Sequence, residues 1–215
     1  MELLIIVLVI GLTAGALLLM PKKASAHCDT MDGPTAVDGI KALETGNINY
    51  ALKWIQPKAE DEAELQECFD LAYKVYQLDG DAKEVAKRYF VDALVRIHRA
   101  GEGAPHVGVK PHGIPIDEKV VAADKCIEVG DITPLKGLVP DELLPELEKR
   151  LEKTLALKHY DVDDVTAGRA YVEAYVNFFH LAENSGHSEH EHDKHGHGQH
   201  EHSHDNHKHG HHHEH

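Results

Sequence analysis

The second half of this sequence repeats the first. Lys41-Ala42-Leu43-Glu44-Thr45-Gly46-Asn47-Ile48 lines up with Lys125-Cys126-Ile127-Glu128-Val129-Gly130-Asp131-Ile132, an offset of 84. Glu64-Leu65 then pairs with Glu146-Leu147, Phe69 with Leu151, and the stretch from Tyr89 through His98 to Ala100 with that from Tyr171 through His180 to Ala182, an offset of 82. A turn shortened by two residues accounts for the change. The matched Gly, Glu and His positions go beyond a shared polar–apolar pattern. A period this long is not that of a solenoid, so two copies are expected to pack as a bundle about a pseudo-twofold axis.

Gly and Pro cut the body into helical stretches at 34–43, 48–55, 59–78, 81–100, 116–129, 141–159 and 163–184. Asp81-x-x-Glu84 looks like a capping box, and Asp131 stands ready to cap the segment after Gly130. Residues 101–115 carry Gly and Pro throughout and no periodicity, so they form a loop. No stretch sustains period-two alternation, and aromatics make up only 6% of the chain. The expected fold class is all-α: a helical bundle of two repeated halves, about 36–100 and 120–182, inside a body spanning 27–186.

An apolar run of eighteen residues, Leu3 to Met20, precedes that body. Pro21-Lys22-Lys23 follows it, and Ala24-Ser25-Ala26 gives the small-x-small pattern that signal peptidase accepts. The leader, 1–26, therefore reads as a signal peptide, or as a membrane anchor if it is not cut, since the run is long enough to span a bilayer. Export is favoured over a cytosol-facing anchor, which places the body outside the cytoplasm. The lysines after the run weakly favour the opposite orientation. Cleavage after Ala26 makes His27 the first residue. The formal charge of −15 argues against nucleic acid as a partner, because no basic face is available to meet phosphates.

Histidine is the compositional outlier, at 20 residues. Fourteen stand in the last segment, 187–215: His187, His190, His192, His195, His197, His200, His202, His204, His207, His209, His211, His212, His213 and His215. The rest of that segment is Asp, Glu, Lys, Gly, Ser, Asn and Gln. With no apolar residue to bury, it is expected to be disordered by itself. His-x-His spacing lets neighbouring imidazoles share a divalent ion, with carboxylates adding oxygen ligands, and imidazole suits Ni, Zn and Cu.

Two further constellations lie in the body. His27 and Cys28, with the α-amine that cleavage frees, form a compact chelating set of amine, imidazole and thiol. His98 continues the stripe Phe90, Leu94, and His180 the stripe Val172, Val176, each at i, i+4, i+8. Both rings are thus expected to point inward, and repeat equivalence allows them to share one ion in the bundle core. Each is equally well placed as a helix-end residue meeting the dipole and a free carbonyl. Glu102 follows His98 by one turn. His106 and His112 read as solvated loop residues. Cys68 and Cys126 read as small buried hydrophobes, with a disulfide between them open after export. Three cysteines are too few for a disulfide scaffold.

His27-Cys28-Asp29-Thr30-Met31-Asp32-Gly33-Pro34 resembles, over these eight residues, the N-terminal hook of nickel superoxide dismutases. In those enzymes the matured N-terminus holds nickel through an amine, an imidazole and two thiolates. His27, Cys28 and Gly33 match that hook, while Asp32 stands where the second thiolate is needed. Over 27–184 the chain is similar to an uncharacterised exported family. Its members carry His-Cys-Asp-Thr-x-Asp-Gly-Pro after a signal peptide and a mid-chain segment like Arg96-Ile97-His98-Arg99-Ala100-Gly101-Glu102-Gly103-Ala104-Pro105. That resemblance implies cleavage before His27 and supplies no activity. Three functions stay open: extracytoplasmic capture or buffering of a transition metal, a superoxide-dismutase-like redox centre at His27 and Cys28, and a structural envelope protein with incidental metal affinity.

Overall fold

The structure, a computed structural model, describes residues 27–186. The leader and the His-rich segment 187–215 lie outside the described residues. The fold is all-α, and among the described residues no helix is long and apolar enough to cross a membrane. Among the described residues seven α-helices follow one another: α1 (Pro34–Thr45), α2 (Asn49–Leu52), α3 (Ala59–Tyr76), α4 (Asp81–Gly101), α5 (Glu118–Val129), α6 (Leu144–Leu157) and α7 (Val165–Glu183). Short 3-10 turns stand at Thr133–Leu135, Asp141–Leu143 and Asn184–Gly186.

Local chemistry sets the helix ends. Pro34 opens α1, where its missing N–H costs nothing. The Asp117 carboxylate accepts from the Lys119 N–H at 2.8 Å and that of Asp164 from the Ala167 N–H at 2.9 Å, capping α5 and α7. α1 and α5 close in the same way, on Gly46 (φ 68°) and Gly130 (φ 76°). The residue after each glycine then donates backward, Asn47 to the Ala42 carbonyl and Asp131 to that of Cys126. The left-handed turn there demands a residue without a Cβ.

Two boundaries differ from expectation. Asp81 does not cap α4 from outside but is its first helical residue, because Gly80 (φ 68°) makes the turn. Asp81 and Glu84 act instead as first-turn acids that favour the helix N-terminus. The helix expected over 48–55 is confined to Asn49–Leu52. Beyond it Trp54 N–H bonds to Ala51 and Ile55 N–H to Leu52, so the chain tightens to i→i−3 turns before Pro57.

α4 packs on α1 and α3, and α7 packs on α5 and α6. Phe90 and Leu94 on α4, Phe178 and Phe179 on α7, and Leu43, Leu65, Val120 and Leu147 from the flanking helices are fully buried in one core. Each such side chain contributes about 1.5–3 kcal/mol by leaving water. Polar contacts tie the segment around α2 to the start of α7. Asp163 accepts from Asn47 and Asn49, and Arg169 donates to the Ile55 carbonyl and to Glu62. Lys53 is buried and reaches Asp38 at 2.9 Å and the Tyr160 hydroxyl at 2.6 Å. Gly168 makes this approach possible: a Cβ there would lie 3.1 Å from the Lys53 Cβ.

Candidate functional site

Residues 27–31 are inserted into the bundle, with all five side chains buried. A tight turn folds the segment on itself, with the Thr30 hydroxyl donating to the His27 carbonyl and the Gly33 N–H to that of Thr30. Gly33 is required by contact: a Cβ on it would sit 1.9 Å from the His27 carbonyl oxygen. The loop after α4 clamps the other side. Lys110 N–H donates to the Asp29 carbonyl at 2.7 Å, and Met31 N–H donates to that of Lys110 at 3.0 Å.

This insertion places His27 in a polar triad. Its Nε2 lies 2.9 Å from Asp124 Oδ2 and 3.0 Å from the Tyr175 hydroxyl, which itself donates to Asp124 Oδ1 at 2.8 Å. Asp124 comes from α5 and Tyr175 from α7, so the triad joins the N-terminus to the second half. The carboxylate next to Nε2 assigns the ring proton to that nitrogen. Burial, reinforced by the Asp124 charge, holds the Tyr175 phenol well above its ordinary value. The triad borders a cleft of about 390 Å³ that Asp38, Lys53, Trp54 and Tyr171 also line. Cys28 is 2% exposed. Burial, with the charge of Glu102 adding to it, pushes its thiol up to about 12. In this arrangement it is a thiol and not a thiolate, and a metal ion there must displace its proton.

The next residue, Asp29, faces the last turn of α4. Its Oδ1 lies 3.5 Å from Arg99 Nε, and Arg99 Nη1 lies 2.7 Å from Glu102 Oε2. One guanidinium, 2% exposed, thus stands between two carboxylates. Burial holds the Asp29 carboxyl above its ordinary value although Arg99 pulls it down. His98, 5% exposed, puts Nδ1 2.6 Å from the Trp54 carbonyl, so Nδ1 carries the proton. Its Nε2 lies 3.5 Å from Glu102 Oε1. His98 and Glu102 border a second cleft, of about 760 Å³, together with Trp54, Gln56, Arg169 and Glu173. The segments 27–34 and 96–105, set apart in the sequence as two motifs, therefore meet in space.

Residues 32–181 match the family of unknown function DUF6448. The chain belongs to that family. No curated protein and no solved structure matches it. The part shared with DUF6448 takes in Asp32, Gly33, Pro34 and the whole 96–105 segment, and begins just after Met31.

The two histidines that line up in the sequence sit in different surroundings. His98 is buried against Trp54, whereas His180 is half-buried, its ring tilted against that of Phe179 and its Nδ1 3.3 Å from Glu183. His106 pairs with Asp92, and His112 with Asp32, which also accepts from the Gly113 N–H. Asp32 is thus already engaged. Cys28, Cys68 and Cys126 are free thiols. Among the described residues, no three His, Cys, Asp or Glu side chains converge on a metal-holding arrangement. The fourteen histidines of 187–215 lie outside the described residues.

Asp29, Trp54, Arg99, Asp124 and Tyr175 complete the site; the sequence places Asp29 and Arg99 in its two motifs and Tyr175 in an aligned stretch without giving them a role, and it does not single out Trp54 or Asp124. At the offsets of 84 and 82 read from the sequence, Asp124 lines up with Ile40 and Tyr175 with Ala93, a carboxylate and a phenol against apolar residues.

Proposed function

We propose that the protein binds transition-metal ions, Ni, Zn or Cu, outside the cytoplasm, and captures or buffers them through the histidines of 187–215. The observation that carries this reading is the concentration of 14 of the chain's 20 histidines in that segment, interleaved with Asp and Glu and free of apolar residues. Such a sequence offers many imidazole and carboxylate donors and no alternative use for them in a core. The apolar run 3–20 and the Ala24-Ser25-Ala26 motif support a place beyond the membrane. The His27–Cys28 corner is a second, more selective position. Its imidazole is already oriented by Asp124 and Tyr175, the outer-shell support that metal-binding histidines use.

Equilibrium dialysis against Zn(II) or Ni(II), with metal analysis of the full chain and of a full-length variant with the fourteen histidines replaced by Gln, tests the proposal. Several ions per chain should be lost with the histidines. Binding should also weaken as pH falls below about 6.5, where imidazole takes up a proton. Equal stoichiometry in the two chains overturns it.

A further inference from the structure

We propose that His98 Nε2 and Glu102 Oε1 are the two protein ligands of an exchangeable transition-metal site at the end of α4, open to the cleft between α4 and α7. The site deepens the metal-binding reading and rests on it for the class of ion.

Three observations carry it. First, His98 is fixed and incompletely used. The Trp54 carbonyl takes the Nδ1 proton at 2.6 Å, which in the neutral ring leaves a lone pair on Nε2. That atom is buried and has no hydrogen-bond partner. A lone pair sealed from water without a donor is costly, by about 1–3 kcal/mol. A backbone carbonyl on the far nitrogen is how metal-bound imidazoles are held in orientation.

Second, the separation fits an ion. Nε2 and Oε1 stand 3.5 Å apart, longer than the 2.7–3.2 Å or so of a good N–H···O bond. Two ligands each about 2.0–2.1 Å from a tetrahedral zinc lie roughly 3.3 Å from one another. The pair occupies i and i+4, so both side chains project from the same side of the last turn of α4.

Third, the charge balance leaves room for a cation. Glu102 Oε2 is held by Arg99 at 2.7 Å, which turns Oε1 toward His98. Arg99 also faces Asp29, so one guanidinium serves two carboxylates and a bound dication supplies the missing positive charge. Imidazole with carboxylate suits Zn, Ni or Co. With only two protein ligands, the remaining positions face the cleft of about 760 Å³ and take water or an incoming ligand. Such coordination suits ions that arrive and leave.

The test uses the full-length chain with the fourteen histidines of 187–215 replaced by Gln, dialysed against Zn(II) and, separately, Co(II). One exchangeable ion per chain is expected at this site, counted apart from any ion held at the His27–Cys28 corner. Glu102→Gln in that background should weaken it by at least about tenfold. In the chain with Glu102 intact, ¹⁵N-histidine NMR should show the Nε2 resonance of His98 moving on Zn(II) addition while Nδ1 keeps its proton, a readout that does not depend on any further variant folding. No bound ion, an ion indifferent to Glu102→Gln, or an unmoved Nε2 overturns the site. Those results leave the tail reading intact, because that reading fails on a different comparison, equal stoichiometry with and without the fourteen histidines.

Discussion

Asp29 and Arg99 face each other across 3.5 Å, one from the buried N-terminal segment and the other from the last turn of α4. This pair makes one structure of two distant stretches of sequence. Arg99 holds Asp29 on one side and Glu102 on the other, and Glu102 in turn stands beside His98. Removing the guanidinium would disturb Asp29 and Glu102 directly, and His98 through Glu102.

Arg99→Ala is therefore expected to destabilise the protein by about 3–5 kcal/mol, since it leaves the buried Asp29 carboxylate without its cation. Arg99→Met combined with Asp29→Asn should recover part of the loss, because removing both charges relieves the unpaired one. Chemical denaturation of the three variants measures this. A single substitution that costs less than about 1 kcal/mol would show that the pair does not hold the segment in place.

Gly33→Ala should displace the 27–31 segment, because the added Cβ lies 1.9 Å from a backbone oxygen that cannot rotate away. Overpacking of this kind costs about 1–3 kcal/mol. The same substitution should expose Cys28 to thiol reagents. Unchanged stability together with an unreactive Cys28 would refute the contact.

How far the sequence reveals this arrangement depends on range. The helices are legible because their signals are local: the apolar stripe Phe90, Leu94, His98 and the closing glycines Gly46 and Gly130. The inward turn of His98 was legible for the same reason. The difference between His98 and His180 was not. His98 is covered by Trp54, which arrives from the segment after α2, and periodicity along α4 carries no information about what lies opposite. Likewise the contact of His27 with Asp124 and Tyr175 depends on how three remote elements meet, which no local pattern encodes.

The three thiols should differ in reactivity. Cys28 and Cys126 are buried, and burial pushes their thiols up to about 12 and about 11. Cys68 is half-buried and accepts from the Tyr89 hydroxyl, itself on an exposed residue. At about pH 8, a disulfide reagent should react with Cys68 alone in the folded protein, and with the other two only on unfolding. Reaction of Cys28 as fast as Cys68 would mean that the N-terminal segment is not inserted.

The last prediction concerns acid. Asp163 accepts from the side-chain amides of Asn47 at 2.9 Å and Asn49 at 3.0 Å, joining the turn before α7 to the start of α2. Those two bonds, Asn47 first, hold its carboxyl below the ordinary value of 3.8. A carboxylate whose folded pKa is depressed binds fewer protons in the native state than in the unfolded chain. Its contribution is therefore present above 3.8 and is lost as pH falls through the lower, folded value. Asp163→Asn mimics the protonated group in shape and charge. The melting temperature of the native protein should exceed that of the variant at about pH 6, and the gap should close as pH falls below 3.8. Thermal melts of both proteins across that range decide the matter. A gap of constant size would mean that the two asparagines bind the protonated and ionised forms equally well, and that the junction between the halves is not held by charge at Asp163.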